Sequence, residues 1–157
     1  MAFLASLGHP VTGVDRSPEA VEASARFGKA VLADVEGGPW PLVHSMDGAN
    51  PQGSNQKGLP TPFDAVVVTN YLWRPLFPVI QQSLAPEGVL IYETFSAGNE
   101  TVGKPSRPEF LLQDGELLRA FAALRVIAYE CGFIESPARF VQRLVAVNDN
   151  RLRALRL

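Results

Sequence analysis

Two short apolar runs near the start of this 157-residue chain each close on an aspartate, with one well-punctuated helix between them. Pro10 to Val14 reads as a strand that ends at Asp15. Ser17 carries the hydroxyl that an N-cap needs, Pro18 falls in the first turn where a missing N–H costs nothing, and Glu19 suits the positive helix end. The helix is expected to run to about Phe27 and to stop at Gly28. Ala30 to Ala33 is then a second strand, closing on Asp34. Strand, helix and strand joined by such short loops specify the pattern of a parallel α/β sheet.

The rest of the chain continues that alternation. Met1 to Leu7 reads as a helix ended by Gly8, with no N-cap residue ahead of it, so the chain starts as though in mid-helix. Gly37 to Pro62 is rich in Gly, Pro, Asn, Ser and Gln around a short anchor, Trp40-Pro41-Leu42. It is expected to be a flexible loop inserted in one domain, most mobile from His44 to Gly58. Phe63 to Thr69 is a continuous β-branched run, which predicts a strand buried on both faces. Pro75 opens a helix to about Leu84, Ala85 to Gly88 is a turn, and Val89 to Phe95 is the next strand. Ser96 to Leu111 reads as a polar loop, and Asp114 as the cap of a helix over Gly115 to Ala123. Leu124 to Glu130 and Arg139 to Val147 are two closing strands, a hairpin candidate.

Composition narrows the classes. A length of 157 residues fits one domain, and 46% hydrophobic with 19% charged residues is ordinary for a compact fold. A net charge of -2 gives no whole-chain attraction to nucleic acid or anionic lipid, and the locally basic stretch from Arg139 to Arg156 reads as a solvated face. No apolar run approaches the ~20 residues of a membrane span. Met1 to Leu7 has no basic residue and is too short for a secretory signal. The single cysteine, Cys131, forms no internal disulfide, so a cytoplasmic setting is expected. His9 and His44 stand apart without metal-ligand spacing, so no metal site is expected.

Five phrases in order narrow it further. Leu7 to Asp15 followed by Arg16 to Ala20, then Ala33 to Glu36, Phe63-Asp64 through Asn70-Tyr71-Leu72, Leu84 to Glu93, and the closing hairpin together resemble class I S-adenosylmethionine-dependent methyltransferases. The resemblance covers nearly all the chain outside Gly37–Pro62, and runs toward small bacterial proteins grouped near tellurite-resistance and other small-molecule methyltransferases. It implies a Rossmann-like α/β three-layer sandwich with a mostly parallel sheet and a C-terminal antiparallel hairpin. The departure is at the start. Family members open with a first strand and a glycine-rich turn, and none of the 13 glycines here forms a Gly-x-Gly after a strand. The chain is therefore expected to be a single domain over 1–157, incomplete at its N-terminus. A start codon placed too far downstream would explain this; an in-frame stop immediately before Met1 in the coding DNA would exclude it. In the family the first strand lies mid-sheet, between the second and the fourth. Its absence would leave two unpaired strand edges and a chain of low stability.

The resemblance also assigns roles. S-adenosylmethionine is the implied cofactor. Asp15 would accept hydrogen bonds from both ribose hydroxyls, since two carboxylate oxygens match two vicinal donors, with Arg16 beside it. Asp34 would accept the adenine amine while the Val35 backbone meets a ring nitrogen. Asn70 and Tyr71, after a buried strand, would face the transferred methyl group. Tyr71, Trp73 and Arg74 could shape a substrate pocket, and Glu93 could act as base or orient the substrate. The competing readings are structural: helix-flanking or turn acids at Asp15 and Asp34, a packed Trp73, a structural carboxylate at Glu93. Displacement at a sulfonium needs mainly positioning and desolvation, so the lack of a triad does not argue against an enzyme. The expected function is methyl transfer to a small-molecule acceptor, impaired in this form of the chain. The alternatives are a degenerate, non-catalytic module that binds a partner protein, and a nicotinamide-dependent dehydrogenase fragment in which Asp15 holds the same kind of ribose.

Overall fold

The computed structural model describes residues 1–44 and 59–149, which group into two compact units, Met1–Leu59 and Pro60–Leu157. The greater part of the expected mobile stretch, 45–58, and the basic residues after Asp149 lie outside the described residues.

In the first unit, α1 (Ala2–Ser6) has no side-chain cap at its start. It ends in a Schellman motif: Gly8, at φ 84°, donates to the Ala5 carbonyl and His9 to the Leu4 carbonyl. β1 (Thr12–Asp15) and β2 (Lys29–Leu32) pair in parallel, Thr12 opposite Lys29 and Asp15 opposite Leu32. Between them α2 (Pro18–Ala25) starts as its sequence dictates, with the Ala20 N–H bonded to Ser17 Oγ at 3.2 Å. Gly28 makes the return possible. At φ 154° any side chain there would run into the Val11 carbonyl oxygen, which takes the Lys29 N–H. Among the described residues of this unit none is buried, and Phe3 keeps 73% of its surface exposed. Its described elements are tied together by local hydrogen bonds. Two short strands, β3 (Val43–His44) and β4 (Leu59–Pro60), pair with one another.

The second unit holds the core. β5 (Phe63–Thr69), β6 (Leu84–Phe95), β7 (Arg125–Glu135) and β8 (Ala138–Val147) form one sheet in the order β5-β6-β8-β7. β5 runs parallel to β6, and the β8 pairings with β6 and β7 are antiparallel. One face is covered by α3 (Phe77–Gln82) against β6 and α4 (Glu116–Ala120) against β8. Leu90, Tyr92, Leu144 and Ala146 are buried there with Ile80, Leu117 and Phe121. Phe77, Tyr92 and Phe121 form an aromatic triangle with centroids 5.3 to 6.1 Å apart.

The expected turn at Ala85–Gly88 is built into β6 as a bulge. β5 advances from Phe63 to Ala65 while its partner jumps from Leu84 to Val89. Asn148 clamps it, its side chain donating to the Leu84 and Ala85 carbonyls and its N–H to the Gly88 carbonyl.

Several expectations need correction. β5 is not buried on both faces. Asp64, Ala65, Val67 and Thr69 are exposed, because β5 is an outer strand of its sheet and, among the described residues, no element of this unit covers the face that carries Val67 and Ile91. Asp114 does not cap α4: Gly115 is the N-cap residue, the Glu116 side chain accepts from the Gln113 N–H, and Gln142 Oε1 accepts from the Leu117 N–H. Ser96–Leu111 is more than a polar loop. Asn99 is buried in it, donating to the Pro105 carbonyl and accepting from the Phe140 N–H. The closing hairpin is longer than the periodicity indicates, since β7 continues to Glu135.

Among the described residues β1 pairs only with β2 and β5 only with β6. In the resemblance these are the second and fourth strands, the two that would flank the first.

Candidate functional site

Because β1 and β2 are parallel, the acids that follow them stand at the same end. Asp15 is the last residue of β1, and Asp34 lies two residues past Leu32, after an Ala33 whose N–H still bonds the Asp15 carbonyl. The C-terminal ends of parallel strands are where open α/β sheets receive ligands. Each carboxylate is oriented by backbone. Asp15 Oδ1 accepts from the Ser17 N–H at 2.8 Å. Asp34 Oδ1 accepts from the Glu36 and Gly37 N–H groups at 3.0 and 3.3 Å. Among the described residues the second oxygen of each makes no hydrogen bond, so both acids are exposed, fixed and left with an accepting atom.

Gly37 matters here, and sequence reading missed it. A Cβ at that position would stand 3.1 Å from Asp34 Oδ2, so glycine leaves that oxygen open; Gly38 likewise fits under the Asp34 carbonyl. The signal was present as an aspartate with two glycines three and four positions on, in a tight turn that lets an Asx side chain bond backbone two and three residues ahead. Arg16 is exposed and Val35 half-buried beside these acids.

The remaining candidates belong to the second unit. Asn70 follows the C-terminal end of β5 with φ 54°, a left-handed conformation that asparagine tolerates better than most residues, and its N–H bonds the Glu93 carbonyl at 2.9 Å. The Tyr71 carbonyl accepts from the hydroxyl of buried Tyr92, which fixes this segment. Burial raises the Tyr92 phenol above its ordinary range, so it stays a donor.

Arg74 and Glu93 are held elsewhere. The Arg74 guanidinium forks onto Glu116, Nε to Oε1 at 2.6 Å and Nη2 to Oε2 at 3.0 Å, and also donates to the Glu109 and Leu111 carbonyls. Burial opposes ionisation of Glu116, but the Arg74 and Gln113 donors outweigh it and hold that carboxyl below the usual range. β6 continues to Phe95, and the Glu93 carboxylate on the uncovered face is shared by Arg143 and Arg139, with Arg143 reaching on to Glu130. Among the described residues no cluster of three or more His, Cys, Asp or Glu could hold a metal, and no helix is long and apolar enough to cross a membrane.

No family model matches the sequence, and no curated protein does. Solved structures match throughout. TehB from Haemophilus influenzae superposes with a TM-score of 0.65 at 13% identity, over 92% of this chain and 52% of its own. The chain thus spans about half the length of that relative. The N-methyltransferase NodS from Bradyrhizobium japonicum gives 0.61 at 17% identity, over 95% of this chain and 80% of its own. A SAM-dependent methyltransferase from Methanosarcina mazei gives 0.62 at 17% identity, over 95% and 86% respectively. Their shared architecture, with the strand orders above, identifies the fold of this chain as that of the class I, Rossmann-like S-adenosylmethionine-dependent methyltransferases.

Proposed function

We propose that this chain binds S-adenosylmethionine through Asp15 and Asp34, and that in a longer physiological form it transfers the methyl group to a small-molecule acceptor in the cytoplasm. The observation that carries the proposal is the placement of those two carboxylates at adjacent strand tips, each with one oxygen tied to backbone and one left to accept. Asp15 would take the ribose hydroxyls, with Arg16 beside it, and Asp34 the adenine amine, with the Val35 backbone against the ring. Support comes from similar structures: NodS is seen with S-adenosyl-L-homocysteine and the glycopeptide N-methyltransferase MtfA with S-adenosyl-L-methionine. In the second unit, Asn70 and Tyr71, just past the C-terminal end of β5, are the groups kept as candidates to meet the methyl acceptor, and 1–157 is read as one domain. Arg74 and Glu93 drop from catalysis to support, since their charges are consumed by ion pairs.

A second reading, a non-catalytic module that binds a partner protein, is favoured by that same loss of Arg74 and Glu93 as available groups. Calorimetric titration with S-adenosylhomocysteine, and with NAD, of both this chain and an upstream-extended one separates the readings. The expected result is binding of S-adenosylhomocysteine by the extended chain, weaker binding by this one, no heat with NAD, and a loss of about tenfold or more on Asp15→Ala, which removes a charged acceptor worth roughly 1.5–3 kcal/mol. Absence of binding in both chains, or binding indifferent to Asp15→Ala and Asp34→Ala, would overturn the proposal.

A further inference from the structure

β7 is the outer strand of the four-stranded sheet, bonded to β8 on one side and to no other strand among the described residues. Proteins commonly guard such an edge with lysine, proline or a bulge. The one irregularity in β7 lies between Val126 and Ala128, at its start. From Ala128 to Glu135 the register with β8 is unbroken, and that stretch contains no Lys, Arg or Pro. Its only interior charge, Glu130, is drawn toward Arg143 of its own sheet. Glu130, Cys131, Gly132 and Phe133 are exposed in succession, and Phe133, though stacked on Phe140 at 5.0 Å, keeps 48% of its surface open.

We propose that a second copy of this chain pairs antiparallel with β7 about a two-fold axis at Cys131, joining two sheets into one. The position of the axis follows from the side chains. A two-fold normal to an antiparallel pair passes through a residue that faces itself. An axis at Glu130 sets two carboxylates directly opposite each other, which is destabilising. An axis at Gly132 sets Tyr129 against Glu135. With the axis at Cys131, Tyr129 faces Phe133 of the second copy twice over, and Glu130 faces Gly132. Of the three, this register alone gives two cross-strand aromatic pairs and no carboxylate pair. A single strand pairing falls at the low end of specific interfaces, so the dimer is weak, with a Kd on the order of micromolar.

Sedimentation of the full 157-residue chain from about 1 to 300 µM, bracketing that Kd, is expected to show a monomer–dimer equilibrium. Facing Cα atoms in an antiparallel pair lie ~4.5–5.5 Å apart, within the ~4.4–6.8 Å of disulfides, so copper–phenanthroline oxidation is expected to yield a Cys131–Cys131 dimer. A side chain at Gly132 meets nothing within 4 Å, so substitution there leaves the fold intact. Gly132→Glu would oppose Glu130 of the second copy at two places and weaken the dimer by about tenfold, while Gly132→Lys would tighten it or leave it unchanged. A monomer over the whole range, a dimer in which Cys131 does not crosslink, or equal effects of Glu and Lys at 132 would each overturn the proposal. The last two are the results expected if copies meet instead along β5.

Discussion

The resemblance makes Arg74 a wall of a substrate pocket, whereas the structure makes it a clamp, and Arg74→Ala decides between them. The substitution removes two charge-assisted bonds to Glu116 and two bonds to the carbonyls of Glu109 and Leu111. In a dry interior each bond to a charged group contributes about 1.5–3 kcal/mol. The Arg74 side chain is 38% exposed and that of Glu116 15%, so water takes over part of what is lost. After that discount the expected destabilisation is about 2–3 kcal/mol. For a unit near 100 residues it lowers Tm by roughly 10 °C or more. The assay is guanidinium unfolding followed by far-UV circular dichroism, run as a double-mutant cycle with Glu116→Gln. Glutamine keeps an acceptor for the Gln113 N–H, so the cycle isolates the ion pair, and a coupling of about 1 kcal/mol is expected. S-adenosylhomocysteine affinity should not change beyond what the lost stability explains. A cost below about 0.5 kcal/mol, no coupling, or a large affinity loss with an unchanged melt would refute the clamp.

Two further outcomes follow from the same unit. Gln142 is fully buried, with Oε1 on the Leu117 N–H at 3.3 Å and Nε2 donating to the Gln113 carbonyl at 2.7 Å. Gln142→Leu keeps much of the volume but strands both backbone groups, and a loss of about 2–4 kcal/mol is expected in the same unfolding assay. A near-neutral result would show that water reaches α4. Glu116 supplies the pH dependence. Its folded pKa is held below the ordinary carboxylate value by the Arg74 and Gln113 donors, so its contribution is fully present above the unfolded pKa and is lost as pH falls through the folded one. Unfolding free energies measured at pH 7 and about pH 3 should therefore converge partly on Glu116→Gln, and an unchanged gap would assign acid sensitivity to other carboxylates.

How much of this was legible in the sequence differs between the two units. α2 could be read residue by residue, because an N-cap hydroxyl, a first-turn proline and a terminating glycine act through bonds three or four positions away. The site acids could be located for the same reason, since each follows a short strand and is fixed by its own neighbours. The hairpin strands were legible as elements but not in length. The stretch from Cys131 to Glu135 is extended because β8 pairs with it, Gly132 opposite Val141 and Phe133 opposite Phe140.

The chain by itself determined the six longer strands as elements though not their bounds, where α2 begins, and where Asp15 and Asp34 stand, because those follow from short-range sterics and local hydrogen bonding. Only the tertiary structure decided that Arg74 is bound to a residue 42 positions away, that Glu93 answers to two arginines of β8, and that β5 is open on one face. Charges recruited across the sheet and faces left uncovered depend on which elements become neighbours, and no periodicity in one segment records the identity of another.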